Sequence, residues 1–320
     1  MELLRMERAQ RARLNDIADD PVRIAALSGL TATPKTLPPK LFYDAQGCAL
    51  FNAITNLPEY YLTRSETAIL RQIAQELAEL LPTGADLIEY GASDEAKAAL
   101  LIPALAPARY VPIDIAEAAL EALHARMARS HPHIEVVPVA ADFMQPVTLP
   151  REIGAARIGF FPGSTIGNLE PEAALMFLAR AKAQLGAQGS LIIGVDLEKS
   201  PARLIPAYDD AAGVTARFNL NLLTRLNREA DADFIVKNFT HQIIWNPVLH
   251  RIEMHLRSQI AQTVRIGDIM IRFNAGETIH TENSHKYAVP RFQALSSRAG
   301  WRTDRVWTDA EGLFAVYLLR

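Results

Sequence analysis

Hydrophobic and polar positions follow two periods along this chain, and the change between them marks out its elements. From Leu87 to Asp196, short apolar runs of strand type are separated by segments whose apolar residues recur at helical spacing. Leu87-Ile-Glu-Tyr90 breaks at Gly91 and is followed by helix-forming residues from Glu95 to Ile102. Arg109 to Ile115 carries Asp114 near its end and leads into a helix from Glu117 to Ser130. Ile134 to Ala140 closes at Asp142-Phe143, and Arg157 to Pro162 breaks into Gly163-Ser-Thr-Ile-Gly-Asn168, with a helix from Pro171 to Leu185 after it. Gly189 to Asp196 is the fifth run. Strands alternating with amphipathic helices predict an α/β fold with a doubly wound, mostly parallel sheet. The end of the chain departs from this rhythm. Trp301 to Trp307 and Leu313 to Leu319 flank the turn Thr308-Asp-Ala-Glu-Gly312, which predicts a C-terminal antiparallel hairpin with no crossover helix.

Outside these stretches the pattern changes. An Arg/Glu/Ala-rich helical segment runs to about Leu27, where Ser28-Gly29 is expected to stop it. Thr33 to Lys40 holds Pro34, Pro38 and Pro39, which remove donors and restrict their neighbours, so an extended arm is expected. A short helix from Ala49 to Thr55 follows, then a long one from Ser65 to about Leu81 with Glu66 near its N-terminus. Phe42, Tyr43, Tyr60 and Tyr61 crowd the Pro-punctuated stretch between, and their bland reading is that they fasten the arm to the body. Between about Glu198 and Tyr287, runs such as His250 to Arg257 and Gln262 to Ile266 alternate as half-exposed antiparallel strands do. The expected division is therefore a sheet domain of residues 62–197 and 288–320, and a second, α+β lobe of residues 1–61 and 198–287.

Composition narrows the classes. A net charge of −3 gives no support to a nucleic-acid surface. No apolar run approaches the ~18 residues of a membrane span, and the charged first residues lack the apolar core of a signal peptide. Cys48 stands alone and cannot form an internal disulfide, so a reducing, cytoplasmic setting is expected. The expected partner is a small molecule, with neither nucleic acid nor membrane, and the chain is expected to be a monomer or weak oligomer.

Candidate chemistry gathers at the predicted strand ends, where open α/β sheets bind ligands. Asp114, 25 positions beyond Glu89, is placed to accept from ribose hydroxyls. Asp142 offers an acceptor for an adenine amine, Phe143 a ring beside it, and Gly163 a close backbone approach. NAD would use the same acid. However, Gly91-Ala-Ser-Asp-Glu-Ala-Lys97 lacks the later glycines of G-x-G-x-x-G, leaving poor access for a pyrophosphate. S-adenosylmethionine (SAM) has no phosphate, and its carboxylate would suit Lys97 and the N–H groups of the turn. The closing hairpin also favours a methyltransferase-type sheet over a dinucleotide-binding one.

Five stretches sharpen the picture: Leu37-Pro-Pro-Lys-Leu-Phe-Tyr-Asp44, Leu57-Pro-Glu-Tyr-Tyr-Leu-Thr-Arg64, Gly163-Ser-Thr-Ile-Gly-Asn-Leu169, Ala207-Tyr-Asp-Asp-Ala-Ala-Gly-Val-Thr215 and Thr281-Glu-Asn-Ser284. In these, and over nearly its whole length, the chain resembles the SAM-dependent L-histidine Nα-methyltransferases of ergothioneine biosynthesis. The resemblance implies a methyltransferase domain plus a substrate lobe, with methyl transfer to the α-amine of L-histidine up to the trimethyl betaine, hercynine. It implies that Tyr60, Gly91, Lys97, Asp114, Asp142, Phe143 and Gly163 line the SAM site. Tyr60 would also lie near the substrate amine. Tyr43, Asn168 and Tyr208 would hold the substrate's carboxylate and amino end, with Tyr43 and Tyr60 as the catalytic pair. Glu282 and Ser284 would read the two imidazole nitrogens, with Met254 packing the ring.

One departure stands out. Ser93 occupies the second glycine position of the family's usual first turn, and a positive φ there would weaken cofactor binding. The spacing of His241, His250, His255 and His280 suggests no metal site, and His285 has no assigned role. The alternatives are an N-methyltransferase for another amino acid or aromatic amine, and an inactive SAM-binding paralogue.

Overall fold

The computed structural model describes residues 20–150, 154 and 156–320. The strands, in chain order, are β1 (Lys35–Thr36), β2 (Asp86–Tyr90), β3 (Arg109–Asp114), β4 (Glu135–Val136), β5 (Val139–Ala140), β6 (Arg157–Phe161) and β7 (Ser190–Asp196). There follow β8 (Phe239–Asn246), β9 (Arg251–Ser258), β10 (Gln262–Ile266), β11 (Ile269–Phe273), β12 (Thr278–His285), β13 (Thr303–Thr308) and β14 (Phe314–Leu319). The described chain separates into two compact units. One comprises residues up to Glu59 with Ala202–Asn246 and Ile252–Glu282; the other comprises Tyr60–Pro201, Pro247–Arg251 and Asn283–Arg320.

The second unit is built on an eight-stranded sheet in the order β13-β14-β7-β6-β2-β3-β4, with β5 also pairing β3. Pairing is parallel from β7 through β6, β2 and β3 to β4 and β5. β14 runs antiparallel to both β7 and β13, so the expected closing hairpin inserts its last strand into the sheet. β2, β7 and β14 are buried along their full length; β14 and the middle of β7 read as apolar runs, whereas β2 carries the buried acids Asp86 and Glu89. Helices occupy Glu117–Ser130 and Pro171–Leu185 as the pattern predicts. The third strand is interrupted: Val137 still donates to Tyr110, but Pro138 has no N–H, so the run divides into β4 and β5. Phe161, Phe177, Trp301 and Tyr317 lie in the core beside the sheet.

Four helix boundaries differ from expectation, the first being the helix expected from Ala49, which begins at Ala45. The helix Tyr61–Leu80 begins ahead of Ser65, so Glu66 lies inside it and is buried rather than standing at its end. The helix after β2 starts at Ala98, leaving Glu95 in a loop where Arg126 holds it at 2.7 Å. In the first unit, the helix Pro21–Leu30 passes through Ser28-Gly29. A Cβ on Gly29 would stand 2.2 Å from the Thr36 carbonyl oxygen, so this glycine serves a close backbone approach rather than a stop. The earlier part of that N-terminal segment lies outside the described residues.

The first unit holds the sheet β1-β12-β9-β8 and the hairpin β10-β11. The Pro-rich arm is not wholly irregular: β1 pairs with β12, and Pro39–Phe42 forms a 3-10 turn. Phe42 stacks on Phe218 of the helix Val214–Glu229 at 4.4 Å, which fastens that turn. Asp44 caps the helix Ala45–Thr55 through the Gly47 N–H at 2.7 Å and also accepts from Asn221 and Arg228. Burial opposes ionisation of Asp44, but these bonds hold its carboxyl below the usual range. Among the described residues no helix is long and apolar enough to cross a membrane.

Candidate active site

In the second unit, the carboxyl ends of β6, β2, β3 and β5 lie side by side and bring the sequence-predicted cofactor residues together. β2 ends at Gly91, whose φ of +75° favours glycine, and an added Cβ would meet the Phe143 ring at 3.3 Å. Ser93 lies outside the left-handed region, so the strain considered for it does not arise. The turn closes on itself. The N–H groups of Gly91 and Ala92 donate to the Ile113 carbonyl at 2.8 and 3.1 Å, and that of Ser93 donates to Gly91 at 3.1 Å. These N–H groups are engaged within the protein, contrary to the expectation that they point at a ligand.

The acids at the next two strand ends have parallel settings. Asp114 accepts from the Ala116 N–H and Asp142 from the Met144 N–H, both at 2.8 Å, in local turns that fix the side chains. Burial pushes the Asp114 carboxyl above its ordinary value, while backbone bonds from Ala116 and Ile115 oppose the shift. Phe143 packs edge-on against Phe161 and Phe177 at 5.5 and 5.8 Å, so its ring is braced by the core.

Sequence reasoning missed the residue that ties the remaining pair together. Glu66, 1% exposed, holds the Lys97 ammonium at 2.6 Å and accepts the Gly163 N–H on both oxygens at 2.9 Å. Space for it comes from β7, where a Cβ on Gly194 would stand 2.0 Å from Glu66 Oε1. Gly163 has φ +80°, and an added Cβ would lie 3.3 Å from Lys97 Nζ. The signal was an acid within an otherwise apolar stripe, between Leu62 and Ile69. The glycine turns, a braced aromatic ring, two acids at strand ends and a cation fit SAM. Asp114 would take its ribose, Asp142 and Phe143 its adenine, and Lys97 its carboxylate.

The remaining predicted residues are divided by unit. Tyr60 stands immediately before the helix Tyr61–Leu80, and Asn168 ends the turn Thr165–Asn168. A Cβ on Gly167 would meet the His285 carbonyl oxygen at 2.8 Å, so this turn lies tightly on the last residues of β12, from Asn283 on, which belong to the same unit and include Ser284. His285 itself is buried there, and burial lowers its pKa, the behaviour of a packing histidine.

In the first unit, Tyr43 meets Phe51 and Phe218 edge-on at 6.0 and 6.3 Å. Tyr208 ends the helix Pro201–Tyr208, and its carbonyl lies 2.9 Å from His241 Nε2. Asp210 then accepts the N–H groups of Val214 and Thr215 at 2.9 and 2.8 Å, starting the next helix. These bonds hold its carboxyl below the ordinary value against the opposing effect of burial. Met254 on β9 and Glu282 on β12 are joined through their strands, with Thr281 donating to the Met254 carbonyl at 3.0 Å. The fold also gathers Glu253, His255 and His280, whose ligating atoms lie within 4.8 Å of one another, although sequence spacing suggested no metal site. The two rings are stacked at 4.6 Å and 17°, and Glu253 is 3.2 Å from His255 Nε2.

Comparison with known proteins follows the same lines. A family described as histidine-specific, SAM-dependent methyltransferases matches residues 22–320. The chain is 42% identical over 310 residues to the histidine N-alpha-methyltransferase of Mycolicibacterium smegmatis, covering 95% of this chain and 96% of that one. It is 42% identical over 298 residues to the histidine N-alpha-methyltransferase of Mycobacterium tuberculosis, with coverage of 91% and 92%. A solved SAM-dependent methyltransferase from Clostridium acetobutylicum shares the fold, with a TM-score of 0.50 at 10% identity over 84% of this chain and 97% of that one. The protein therefore belongs to the SAM-dependent, histidine-specific methyltransferase family.

Proposed function

We propose that this chain transfers methyl groups from SAM to the α-amine of L-histidine, up to the trimethyl betaine. The match to histidine-specific methyltransferases along almost the whole chain carries this reading. The unit containing Tyr60–Pro201 would bind SAM, and the unit containing Ala202–Asn246 would serve as the substrate lobe. The reaction would run in the cytoplasm. Ser93 was the sequence hint of an inactive paralogue, and its unstrained backbone removes that hint.

SAM supplies a methyl group already activated by its sulfonium, which leaves alignment and proton removal to the protein. Tyr43, Asn168 and Tyr208 would orient the carboxylate and amino end of histidine. The amine must lose a proton before it can attack, and Tyr43 or a bound water would carry that proton away. Tyr60 would present its ring to the growing cation, an attraction of about 0.5–2 kcal/mol. Glu282 and Ser284 would meet the imidazole nitrogens, with Met254 beneath the ring. Amino acids lacking those nitrogens would leave buried polar groups without partners and be rejected strongly.

The test is incubation with SAM and an equimolar panel of histidine, tryptophan and other amino acids, read by mass spectrometry. Histidine should gain mass in steps of one methyl up to three. Gain on tryptophan in preference to histidine would overturn the substrate assignment, and no gain on any amine would overturn the activity.

A further inference from the structure

The first unit holds a side-chain cluster to which methyl transfer gives no role. Glu253 and His255 stand two residues apart on β9 and so project from the same face of the sheet, and β12, which carries His280, is the neighbouring strand. His255 is buried, while Glu253 and His280 are half-buried. The two imidazole rings stack, and one ligating atom from each of the three residues lies within 4.8 Å of the other two. Glu253 Oε2 is 3.2 Å from His255 Nε2. Tetrahedral zinc, with bonds of about 2.0–2.1 Å, sets neighbouring donors about 3.3 Å apart. The Glu253–His255 pair already has that spacing. The widest pair of the cluster has at most about 1.5 Å to close, a movement within reach of side-chain torsions.

The surrounding bonds orient these groups as outer partners orient metal ligands. Asn246 Nδ2 donates to Glu253 Oε1 at 3.0 Å, which leaves the other carboxylate oxygen turned toward His255. His280 Nε2 lies 3.1 Å from the Glu282 carbonyl oxygen. A carbonyl only accepts, so the neutral His280 ring carries its proton on Nε2 and its lone pair on Nδ1. We propose that Glu253, His255 and His280 form a binding site for a divalent ion of the zinc class. Two imidazoles and one carboxylate suit Zn²⁺, whereas Mg²⁺ and Ca²⁺ take oxygen donors. Binding exchanges the Glu253–His255 contact for two bonds to the ion, which keeps both groups partnered. In a tetrahedral site three protein donors leave the fourth position to water, and the ion joins β9 to β12 within the first unit. The site is independent of which amine accepts the methyl group.

The test is calorimetric titration of the full-length, chelator-treated protein with zinc chloride, and with magnesium chloride for comparison. One Zn²⁺ should bind per chain, and Mg²⁺ should not bind. Loss of even an outer partner of a metal ligand weakens binding about 10–100-fold, so Glu253→Gln and His280→Gln should each weaken Zn²⁺ at least about tenfold. His133→Ala, which removes an exposed histidine of the second unit beside His131, should leave Zn²⁺ affinity unchanged. Zn²⁺ at a hundred times its Kd should raise the Tm by about 5 °C. Co²⁺ in its place should give the visible absorption of a four-coordinate site, with no thiolate band from Cys48. Should the Glu253 and His280 variants fail to fold, the wild-type Co²⁺ spectrum decides the matter: the weak absorption of a six-coordinate ion, or a thiolate band, overturns the assignment. Absence of Zn²⁺ binding to the wild type, or loss of it in His133→Ala, also overturns the proposal. Binding that Glu253→Gln and His280→Gln leave unchanged does the same and reduces the three side chains to a packed polar cluster.

Discussion

Glu89→Gln should change how stability depends on pH. Glu89 is 2% exposed near the end of β2, where burial pushes its carboxyl from 4.5 to about 8, against the lowering effect of a bond from the Tyr110 hydroxyl. Below 4.5 the folded and unfolded chains both hold the proton, and the contribution of the protonated form is fully present. Between 4.5 and about 8 the unfolded chain releases a proton that the folded chain keeps, so stability falls by up to ~1.36 kcal/mol for each pH step of one. Above about 8 both states are ionised and the contribution is gone. The full range corresponds to roughly 5 kcal/mol, and the part between about pH 6 and about pH 9 to roughly 2.5 kcal/mol. The substituted glutamine cannot ionise, yet it still offers an oxygen to Tyr110. Thermal unfolding of both proteins across that interval is the assay. The wild type should lose about 5 °C relative to the variant between the two ends, taking ~2 °C per kcal/mol for a chain of this size. Parallel pH curves for the two proteins would refute the reasoning.

Four further outcomes follow. Gly91→Ala places a Cβ at a positive φ against Phe143, which should cost about 1–2 kcal/mol in thermal or denaturant unfolding and weaken SAM binding in calorimetry; Ser93→Gly should leave SAM affinity within about twofold, since its serine is not in the left-handed region. Glu66→Gln removes the charge that holds Lys97 and should weaken SAM binding at least about fivefold, or ~1 kcal/mol, read by titration calorimetry. Glu282→Ala should raise the histidine KM and relax specificity in a kinetic substrate panel while SAM binding stays near normal; collapse of SAM binding would contradict its assignment to the substrate.

Local patterning made most of the sheet unit legible. The helices Glu117–Ser130 and Pro171–Leu185 announce themselves by period, and the buried strands β2 and β7 by short apolar stretches such as Leu87-Ile88 and Leu191-Ile-Ile193. Pro138 divided a predicted strand because a missing donor matters only once its neighbour, β3, is in place. The start of the helix Tyr61–Leu80 was obscured by Pro58 and the adjoining tyrosines, which read as loop. Glu66 was harder still. Its role depends on Gly163 and Gly194, far away in sequence, coming close enough to admit a carboxylate. Ser284 was legible through its motif, but the Lys286 ammonium that donates to its hydroxyl was not, because that lysine acquires meaning only from Asp196 on β7.

The measurement that tests the central claim most directly is the crystal structure of this protein with S-adenosylhomocysteine and L-histidine bound. The account predicts the ribose at Asp114, the adenine at Asp142 and Phe143, the imidazole nitrogens at Glu282 and Ser284, and the α-amine of histidine directed at the sulfur. Histidine bound with its imidazole away from Glu282 and Ser284, or with its α-amine turned from the sulfur, would contradict it.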